Sequence, residues 1–394
     1  MLRSILISFV AASSVAHAQS DTVSARTLGP GVEYRHVMER RDSLDMHVVR
    51  VDLHRANISL HAARATDSLR GRERPSEMVR RAEARGDHVV AAVNADFFWL
   101  STGENENNQI IDGEWWKGLK TTDSPYDTWD NTHIQFAMDA TGHPYIDQFM
   151  FDGRAIAHGA ATPIITLNFN PSGKPEGTAL YTWRFGRETP RDTSRVTAEA
   201  AMVPAGRRGD TLLYVRTGAV STSSGSAIPA GGAVLAAYGR GLRYDEVTAM
   251  QAGDTVRVVL STIPRLSNYP GAPTVLVGGW PRILRNGVDV TADAPVREGT
   301  ISRNAETRHP RTAVGFSRDS STLILLTVDG HAESEGGVTL GALAERMKAL
   351  GAWEAMNFDG GGSTTMVIDG RVVNRPSDRT GERAVGNALM VIVR

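Results

Sequence analysis

The residues best suited to chemistry lie near the end of the chain, in the run Asn357-Phe358-Asp359-Gly360-Gly361-Gly362-Ser363-Thr364-Thr365-Met366. Three consecutive glycines let the backbone take positive φ or come very close to another group. A carboxylate precedes the glycines and hydroxyl groups follow them, so one turn offers an acid, N–H groups and hydroxyl donors. Such a turn suits an anionic, hydroxyl-rich ligand, although a plain tight turn between two strands is the simpler interpretation.

Other polar residues fall where predicted strands begin or end, and they can be listed together with the first set: Asn94, Asp96, Arg311, Thr312, Asp329, Asn357, Asp359, Ser363, Thr364, Arg383 and Asn387. If one sheet carries these strands, the side chains converge on one cleft. Arginine forks and backbone N–H groups suit a phosphate, whereas carboxylates suit acid, base or nucleophile chemistry at a sugar carbon. No cofactor is predicted, but Asp359 and Asp96 could bind a divalent cation together with carbonyl oxygens.

The elements that must position these residues follow from periodicity and turn signals. Apolar residues at helical spacing predict helices over 75–85 and 340–350, ended by Gly86 and Gly351. Alternating or continuous apolar runs predict many strands, and Asn286-Gly287 predicts a hairpin turn. Residues 101–132 form a long polar loop, which in a compact domain indicates a functional or mobile segment. We therefore expect an α+β fold with a largely β-sheet core and a few packed helices.

Composition narrows the function further. The chain has 394 residues, a formal net charge of −1, 41% hydrophobic residues and no cysteine. A near-neutral balance gives no electrostatic reason to expect nucleic acid or a membrane surface as a partner. The lack of cysteine excludes disulfides, thiolate metal sites and cysteine nucleophiles. Composition leaves the oligomeric state open.

The N-terminus has the pattern of a secretory signal. Arg3 provides a positive charge, an apolar run follows over residues 4–15, and Ala16-His17-Ala18 fits a cleavage site. The run is shorter than the ~20 residues that a membrane span needs, so a membrane anchor is not expected. We predict a signal peptide over 1–18, cleavage after Ala18, and a secreted or periplasmic protein.

Histidines cluster in the first part of the chain, at His36, His47, His54 and His61. None of them shows the H-x-H or H-x-x-x-H spacing of a local metal site. We therefore interpret them as polar faces of strands. No phosphate-binding loop, H-E-x-x-H motif or G-x-S-x-G nucleophile elbow is present, which gives little support to nucleotide hydrolysis or a serine hydrolase.

The motifs together resemble a known family. The stretch 355–387 reads A-M-N-F-D-G-G-G-S-T-T-M-V-I-D-G-R-V-V-N-R-P-S-D-R-T-G-E-R-A-V-G-N, and it is similar to the phosphodiester glycosidase domain. Other pieces match in order: N-A-D-F-F at 94–98, G-G-W-P-R-I-L at 278–284, R-T-A-V-G-F at 311–316 and T-V-D-G at 327–330. The resemblance covers roughly residues 85–393. It suggests an organisation of 1–18 as signal peptide, 19–84 as an N-terminal strand and helix region, and 85–394 as the glycosidase domain.

The resemblance implies hydrolysis of a sugar-1-phosphate diester to free sugar and a phosphomonoester. The expected partner is a sugar phosphodiester or phosphorylated glycan, and bacterial members are often related to exopolysaccharide. Carried over by position, Asp359, Asp329 and Asp96 would be catalytic. The substrate would be bound by Asn94, Arg311, Thr312, Asn357, Gly360, Gly361, Gly362, Ser363, Thr364, Arg383 and Asn387. His331 stands where relatives often have arginine, which puts one phosphate contact in doubt. An envelope phosphodiesterase and a non-catalytic glycan-binding protein are the alternatives.

Overall fold

A computed structural model describes residues 20–39, 44–125, 127, 129–171, 176–266, 271–299, 306–330 and 336–394. The helices in these residues are α1 (Pro75–Glu83), α2 (Leu242–Thr248), α3 (Ala294–Arg297) and α4 (Leu340–Ala349). The first strands are β1 (Ser20–Gly29), β2 (Val32–Glu39), β3 (Leu44–Asp52), β4 (Ile58–Arg64), β5 (Val89–Asn94), β6 (Gln109–Ile111), β7 (Glu114–Leu119), β8 (Gln135–Asp139), β9 (Pro144–Asp147), β10 (Met150–Ala157), β11 (Ala160–Ile164), β12 (Thr166–Leu167) and β13 (Gly177–Thr182). The later strands are β14 (Thr197–Arg208), β15 (Thr211–Arg216), β16 (Ala233–Tyr238), β17 (Thr255–Ile263), β18 (Pro273–Gly278), β19 (Arg282–Arg285), β20 (Val288–Asp289), β21 (Arg311–Phe316), β22 (Thr322–Val328), β23 (Glu354–Asn357), β24 (Met366–Ile368), β25 (Arg371–Val372) and β26 (Asn387–Val393).

The described strands form three sheets. An eight-stranded sheet has the order β1-β2-β3-β22-β21-β23-β19-β20, and a five-stranded sheet has the order β25-β24-β5-β26-β4. A thirteen-stranded sheet has the order β11-β10-β17-β15-β14-β16-β13-β12-β7-β6-β18-β8-β9. The expectation of a largely β core with a few packed helices is confirmed at this level.

One apolar core joins the three sheets. It brings together Val49 and Leu325 of the eight-stranded sheet, Val93 and Leu389 of the five-stranded sheet, and Phe136 of the largest sheet. The helices cover the outer faces: α4 packs on the eight-stranded sheet and α1 on the five-stranded sheet. Strand β5 is therefore buried along its whole length, which explains its unbroken apolar run.

The N-terminal strands are not separate from the rest. Strand β3 pairs with β22, and β4 pairs with β26 along its whole length. The boundary predicted between residues 84 and 85 therefore does not separate two sheets. The reason is topological, because strands distant in sequence complete the same hydrogen-bonded ladders.

The spacing of apolar residues and the positions of glycines predicted helices α1 and α4 correctly. Helix α1 begins at Pro75 and α4 begins at Leu340, and the glycines predicted to follow them have φ of +98° at Gly86 and +95° at Gly351. At the predicted hairpin between β19 and β20, Asn286 and Gly287 both have positive φ.

In the described residues we find no helix that is long and apolar enough to cross a membrane. The predicted signal peptide and His331 lie outside the described residues.

Candidate active site

The candidate site lies where the eight-stranded and five-stranded sheets meet. The glycine-rich turn leaves β23, which pairs with β21, and enters β24, which pairs with β5. The predicted residues therefore come from two sheets, and the expectation that one sheet carries them is wrong. They still converge, because the turn crosses from one sheet to the other and contacts the ends of strands in both.

The glycine turn is more closed than an open anion nest. The N–H of Gly360 donates to the Asp359 carboxylate at 2.9 Å, and the N–H of Gly361 donates to the carbonyl of Pro310 at 2.9 Å. Only Gly361 has positive φ, at +59°. The expectation that all three glycine N–H groups face a ligand is therefore wrong for Gly360 and Gly361, whose donors already have partners within the protein.

Asp359 is partly exposed at the start of this turn. Burial raises the pKa of its carboxyl to about 6, against the opposing effects of the Ser363 hydrogen bond and the nearby Arg383 charge. The negative charge of Asp96 raises the pKa further. A carboxyl that titrates near neutral pH and reaches solvent is suited to act as a base or nucleophile.

Two arginines place positive charge beside Asp359. Arg383 forms a bidentate pair with Asp378, with both N–O distances at 2.7 Å, and its Nη1 donates to the Ser363 hydroxyl at 3.3 Å. Arg311 is 4% exposed and donates to the carbonyls of Val338 and Thr307. Burial lowers the pKa of Arg311 to about 10, while the Asp359 charge acts in the opposite direction, so the guanidinium stays charged at neutral pH.

Asn94 holds the turn in place. Its Nδ2 donates to the Asp359 carbonyl at 2.6 Å, and its Oδ1 accepts from the Thr312 hydroxyl and the Thr365 N–H. Both ends of the amide therefore bind protein groups. Asn94 and Thr312, predicted to bind substrate, have the contacts of residues that position Asp359.

Asp96 faces a different part of the molecule. Its carboxylate accepts three N–H groups, from the Asn105 side chain and from the backbone and side chain of Asn107, and it is 1% exposed. Its own N–H donates to Oδ1 of Asn387. Asp96, predicted to be catalytic, thus has the contacts of a residue that anchors the segment 104–108, and three of the positions at which its oxygens could meet a cation are taken by N–H donors.

Glu106, in the segment 104–108, is an acidic residue near the site that the sequence analysis did not predict. This side chain is 3% exposed, and burial raises its pKa well above the usual range, with the charges of Asp96 and Asp359 adding to the effect. Burial and these neighbouring charges therefore favour the protonated form of Glu106 more than in a free glutamic acid, and the Asp359 charge is one of them. The long polar loop over 101–132 was the only sequence signal for this acid.

Asp329 supports the exit of the glycine turn. Its carboxylate accepts from Nδ2 of Asn374 at 3.0 Å and from the N–H of Arg375 at 2.7 Å. Asn374 in turn donates to the carbonyl of Thr364 and accepts from the N–H of Met366. Asp329, predicted to be catalytic, thus has the contacts of a positioning residue, and Asn374 is a second one that the sequence analysis missed.

Several buried polar atoms around the turn have no hydrogen-bond partner among the described residues: Asn357 Oδ1, Thr364 Oγ1, Thr365 Oγ1 and Asn387 Nδ2. Buried polar groups are normally paired, so each of these atoms is a place where water or a ligand would be bound. Asn357 is otherwise fixed, because its Nδ2 donates to the carbonyl of Trp280 at 2.6 Å.

A substitution at Gly362 tests whether the position of Arg383 matters for ligand binding. A Cβ at this residue would lie 2.0 Å from Oδ1 of Asp378 and 2.1 Å from Nη2 of Arg383. Because these are ends of flexible side chains, we expect Gly362→Ala to fold but to displace Arg383 and raise KM about tenfold or more, a loss of ~1.4 kcal/mol of binding. Steady-state kinetics would measure this change.

Gly361→Asn is the matched control for this experiment. A Cβ at Gly361 meets nothing within 4 Å, and asparagine tolerates its positive φ. An unchanged KM in Gly362→Ala, or an equal rise in both variants, would contradict a ligand-binding role for Arg383.

Comparison with known proteins agrees with the resemblance that the motifs predict. A family model described as phosphodiester glycosidase matches residues 207–392. N-acetylglucosamine-1-phosphodiester alpha-N-acetylglucosaminidase from Mus musculus is 29% identical over 255 residues, which cover 61% of this chain and 45% of the mouse protein. The chain thus spans less than half the length of this curated relative.

Solved structures show the same fold. A hypothetical protein from Synechocystis superposes with a TM-score of 0.69 and 20% identity, covering 92% of this chain and 62% of that chain. A candidate exported protein from Burkholderia pseudomallei gives a TM-score of 0.64 and 22% identity, covering 92% of this chain and 74% of that chain. The family match confirms the resemblance that the motifs predict, over residues 207–392, and the solved structures share the fold.

Proposed function

We propose that this protein hydrolyses the glycosidic bond of a sugar-1-phosphate diester, releasing free sugar and a phosphomonoester. The observation that carries the proposal is the grouping of Asp359, partly exposed and with a pKa raised to about 6, with the charged Arg383 and Arg311 and with Glu106, whose pKa burial raises. The family match supports it, since the curated relative is named for action on N-acetylglucosamine-1-phosphodiester.

The two arginines suit the phosphodiester, which carries one negative charge. Arg383 is oriented by its bidentate pair with Asp378 and is about one-third exposed, so it remains accessible to a ligand. Arg311 adds a second positive charge from a buried position. Guanidinium groups recognise phosphate oxygens through parallel N–H bonds, and partial burial strengthens these bonds.

The two acids divide the chemistry by their charge states. Ionised Asp359 acts at the anomeric carbon, either as nucleophile or as the base that activates water. Protonated Glu106 donates a proton to the phosphate oxygen as the bond to the sugar breaks. Burial raises the pKa of both carboxyl groups, and we assign the proton to Glu106, the more deeply buried of the two.

We also propose where the enzyme acts and which class of sugar phosphodiester it acts on. An exported enzyme would meet extracellular phosphorylated glycans such as exopolysaccharide, and the N-terminal sequence 1–18 supports export. One structural relative is itself described as a candidate exported protein. Hence we expect sugar-1-phosphodiesters of envelope or extracellular polymers to be the substrate class.

Hydrolysis in ¹⁸O-labelled water tests which bond breaks. Purified protein is incubated with a sugar-1-phosphodiester, and both products are analysed by mass spectrometry. Attack at the anomeric carbon places the label in the sugar, and we expect essentially all of it there.

Label in the phosphomonoester would overturn the proposal in favour of a phosphodiesterase. Binding of the substrate without turnover, unchanged in Asp359→Asn, would indicate a glycan-binding protein. EDTA sensitivity together with label in the phosphomonoester would indicate a metal-dependent phosphodiesterase.

A further inference from the structure

A second cluster of ionisable side chains lies on the hairpin of β2 and β3, apart from the glycine turn. The strand register places His36 directly opposite His47, and Asp45 shares the face of His47 because it lies two residues earlier. His36 Nε2 is in hydrogen-bond contact with Oδ1 of Asp45. Cross-strand pairing makes this cluster, so the spacing of histidines along the sequence could not show it.

The cluster brings one possible ligand atom from each of three side chains into a small region. One nitrogen or oxygen from each of His36, Asp45 and His47 lies within 4.8 Å of the other two. Nε2 of His47 is 3.9 Å from Oδ1 of Asp45 and also 3.9 Å from Oδ2 of Asp329. The two imidazole rings are parallel, with centroids 4.7 Å apart and an interplanar angle of 3°.

Tyr34 fixes the orientation of His47. Its hydroxyl is 2.8 Å from Nδ1 of His47, so the remaining nitrogen, Nε2, faces the two carboxylates. A second hydrogen bond on the far nitrogen is the usual support for a metal-binding histidine, because it sets the tautomer and the ring direction. The His47 side chain is 4% exposed, whereas Asp45 is 40% exposed and leaves a path for an ion.

We propose that His36, Asp45 and His47 bind a divalent transition-metal ion of the Zn²⁺ type, with the Asp329 carboxylate as a nearby negative charge. Two imidazoles with one or two carboxylates are a donor set that zinc and similar ions favour. Bonds of about 2.0–2.2 Å require the ligand atoms to lie roughly 3.3–3.5 Å apart, so the two parallel imidazole rings would have to turn toward a shared point when the ion binds.

Such an ion would join β2 and β3 close to the support of the candidate active site. His36 belongs to β2, Asp45 and His47 belong to β3, and Asp329 follows the end of β22. Asp329 also binds Asn374, which holds the exit of the glycine turn. Metal bound here would stabilise the hairpin against β22 and restrain the support of the turn.

Metal binding to the full chain tests the proposal directly. Protein is dialysed against chelator, then titrated with Zn²⁺ by calorimetry and with Co²⁺ by visible absorption. We expect one equivalent of metal, a Co²⁺ spectrum typical of a four-coordinate or five-coordinate nitrogen and oxygen site, and a rise in Tm with Zn²⁺. Loss of an outer partner of a metal ligand costs about 10–100-fold in affinity, so His36→Asn and Asp45→Asn should weaken binding by at least ~100-fold.

His61→Asn is the matched control. His61 contacts Asp112 at 2.9 Å in another histidine–carboxylate pair, but among the described residues no third ligand-type side chain joins it. Its removal should leave affinity unchanged. Failure of the full chain to bind Zn²⁺ or Co²⁺ would overturn the proposal, and so would binding that persists unchanged in both His36→Asn and Asp45→Asn. These two substitutions lie at partly exposed side chains, so the test does not depend on a variant of the buried His47.

Discussion

Replacing Asp359 by asparagine should lower kcat on a sugar-1-phosphodiester by about 10²–10⁴-fold while leaving the fold intact. Asparagine keeps the size of the side chain and an oxygen that can accept from the Gly360 N–H, so the turn should retain its shape. What is lost is the negative charge that acts at the anomeric carbon. Steady-state kinetics with circular dichroism on both proteins would measure activity and fold together.

The same substitution should stabilise the protein above pH 6. Asp359 ionises near pH 4 when unfolded but at about pH 6 when folded, so the folded state binds more protons between these values. Stability of the native protein therefore falls as pH rises through this window, and Asp359→Asn avoids that loss. Because Asp359 is partly exposed, we expect a gain of about 1–2 kcal/mol in the free energy of unfolding at pH 7–8, and none below pH 4.

Asp139→Asn is a control that should change the stability at neutral pH in the opposite direction. Burial acts to raise the pKa of Asp139, but hydrogen bonds from Thr141, His143 and Tyr145 outweigh it and lower the pKa overall. Its ionised form therefore stabilises the fold at neutral pH, and that contribution is lost as pH falls through the folded pKa. Asp139→Asn should lose stability at pH 7 and keep activity. Retained kcat in Asp359→Asn, or a lower Tm than wild type at pH 8, would contradict the role given to Asp359.

The glycine turn shows how much of the site local sequence can predict. Its position between two strands, β23 and β24, and the glycines that end α1 and α4, depend on short-range rules of backbone conformation. The convergence of the polar strand ends was also predictable. Which of those residues face the ligand was not, because Asn94 and Asp96 are engaged by partners distant in sequence such as Asp359 and Asn107.

The sequence analysis did not identify Glu106 or the cluster of ionisable side chains on β2 and β3, and the reasons are related. The unusual pKa of Glu106 arises from burial and from neighbouring charges, and neither is a property of the loop's own sequence. His36 and His47 are eleven positions apart and meet only through strand register. A motif with fixed spacing can be recognised from sequence, whereas a site assembled by packing needs the three-dimensional fold.

Glu106→Gln should remove the alkaline limb of the pH–rate profile. In the native protein, activity should rise as Asp359 ionises through about pH 6 and fall when Glu106 loses its proton at higher pH. Glutamine cannot ionise or donate a proton from a carboxyl group, so the variant should show only the acid limb. Measuring kcat/KM from about pH 5 to about pH 10 distinguishes a profile with both limbs from one with the acid limb alone.

The loss of rate in Glu106→Gln should depend on the leaving group. A phosphomonoester is already a fair leaving group, so we expect Glu106→Gln to cost about 10²-fold on the phosphodiester. The cost should approach 10⁴-fold for an aglycone with a more basic oxygen, where proton donation contributes more to the transition state. A series of sugar substrates that differ only in aglycone acidity would measure this dependence.

Glu199→Gln is the matched control, because Glu199 is also a buried glutamate but lies in the thirteen-stranded sheet. Its carboxylate accepts from the Thr189 hydroxyl and the Ser226 N–H, far in the fold from the glycine turn. This variant should keep the full bell-shaped profile and the leaving-group dependence of the wild type. An alkaline limb that persists in Glu106→Gln, or an equal loss on every aglycone, would show that Glu106 shapes the site without donating the proton, and the acid would have to be sought elsewhere around Asp359.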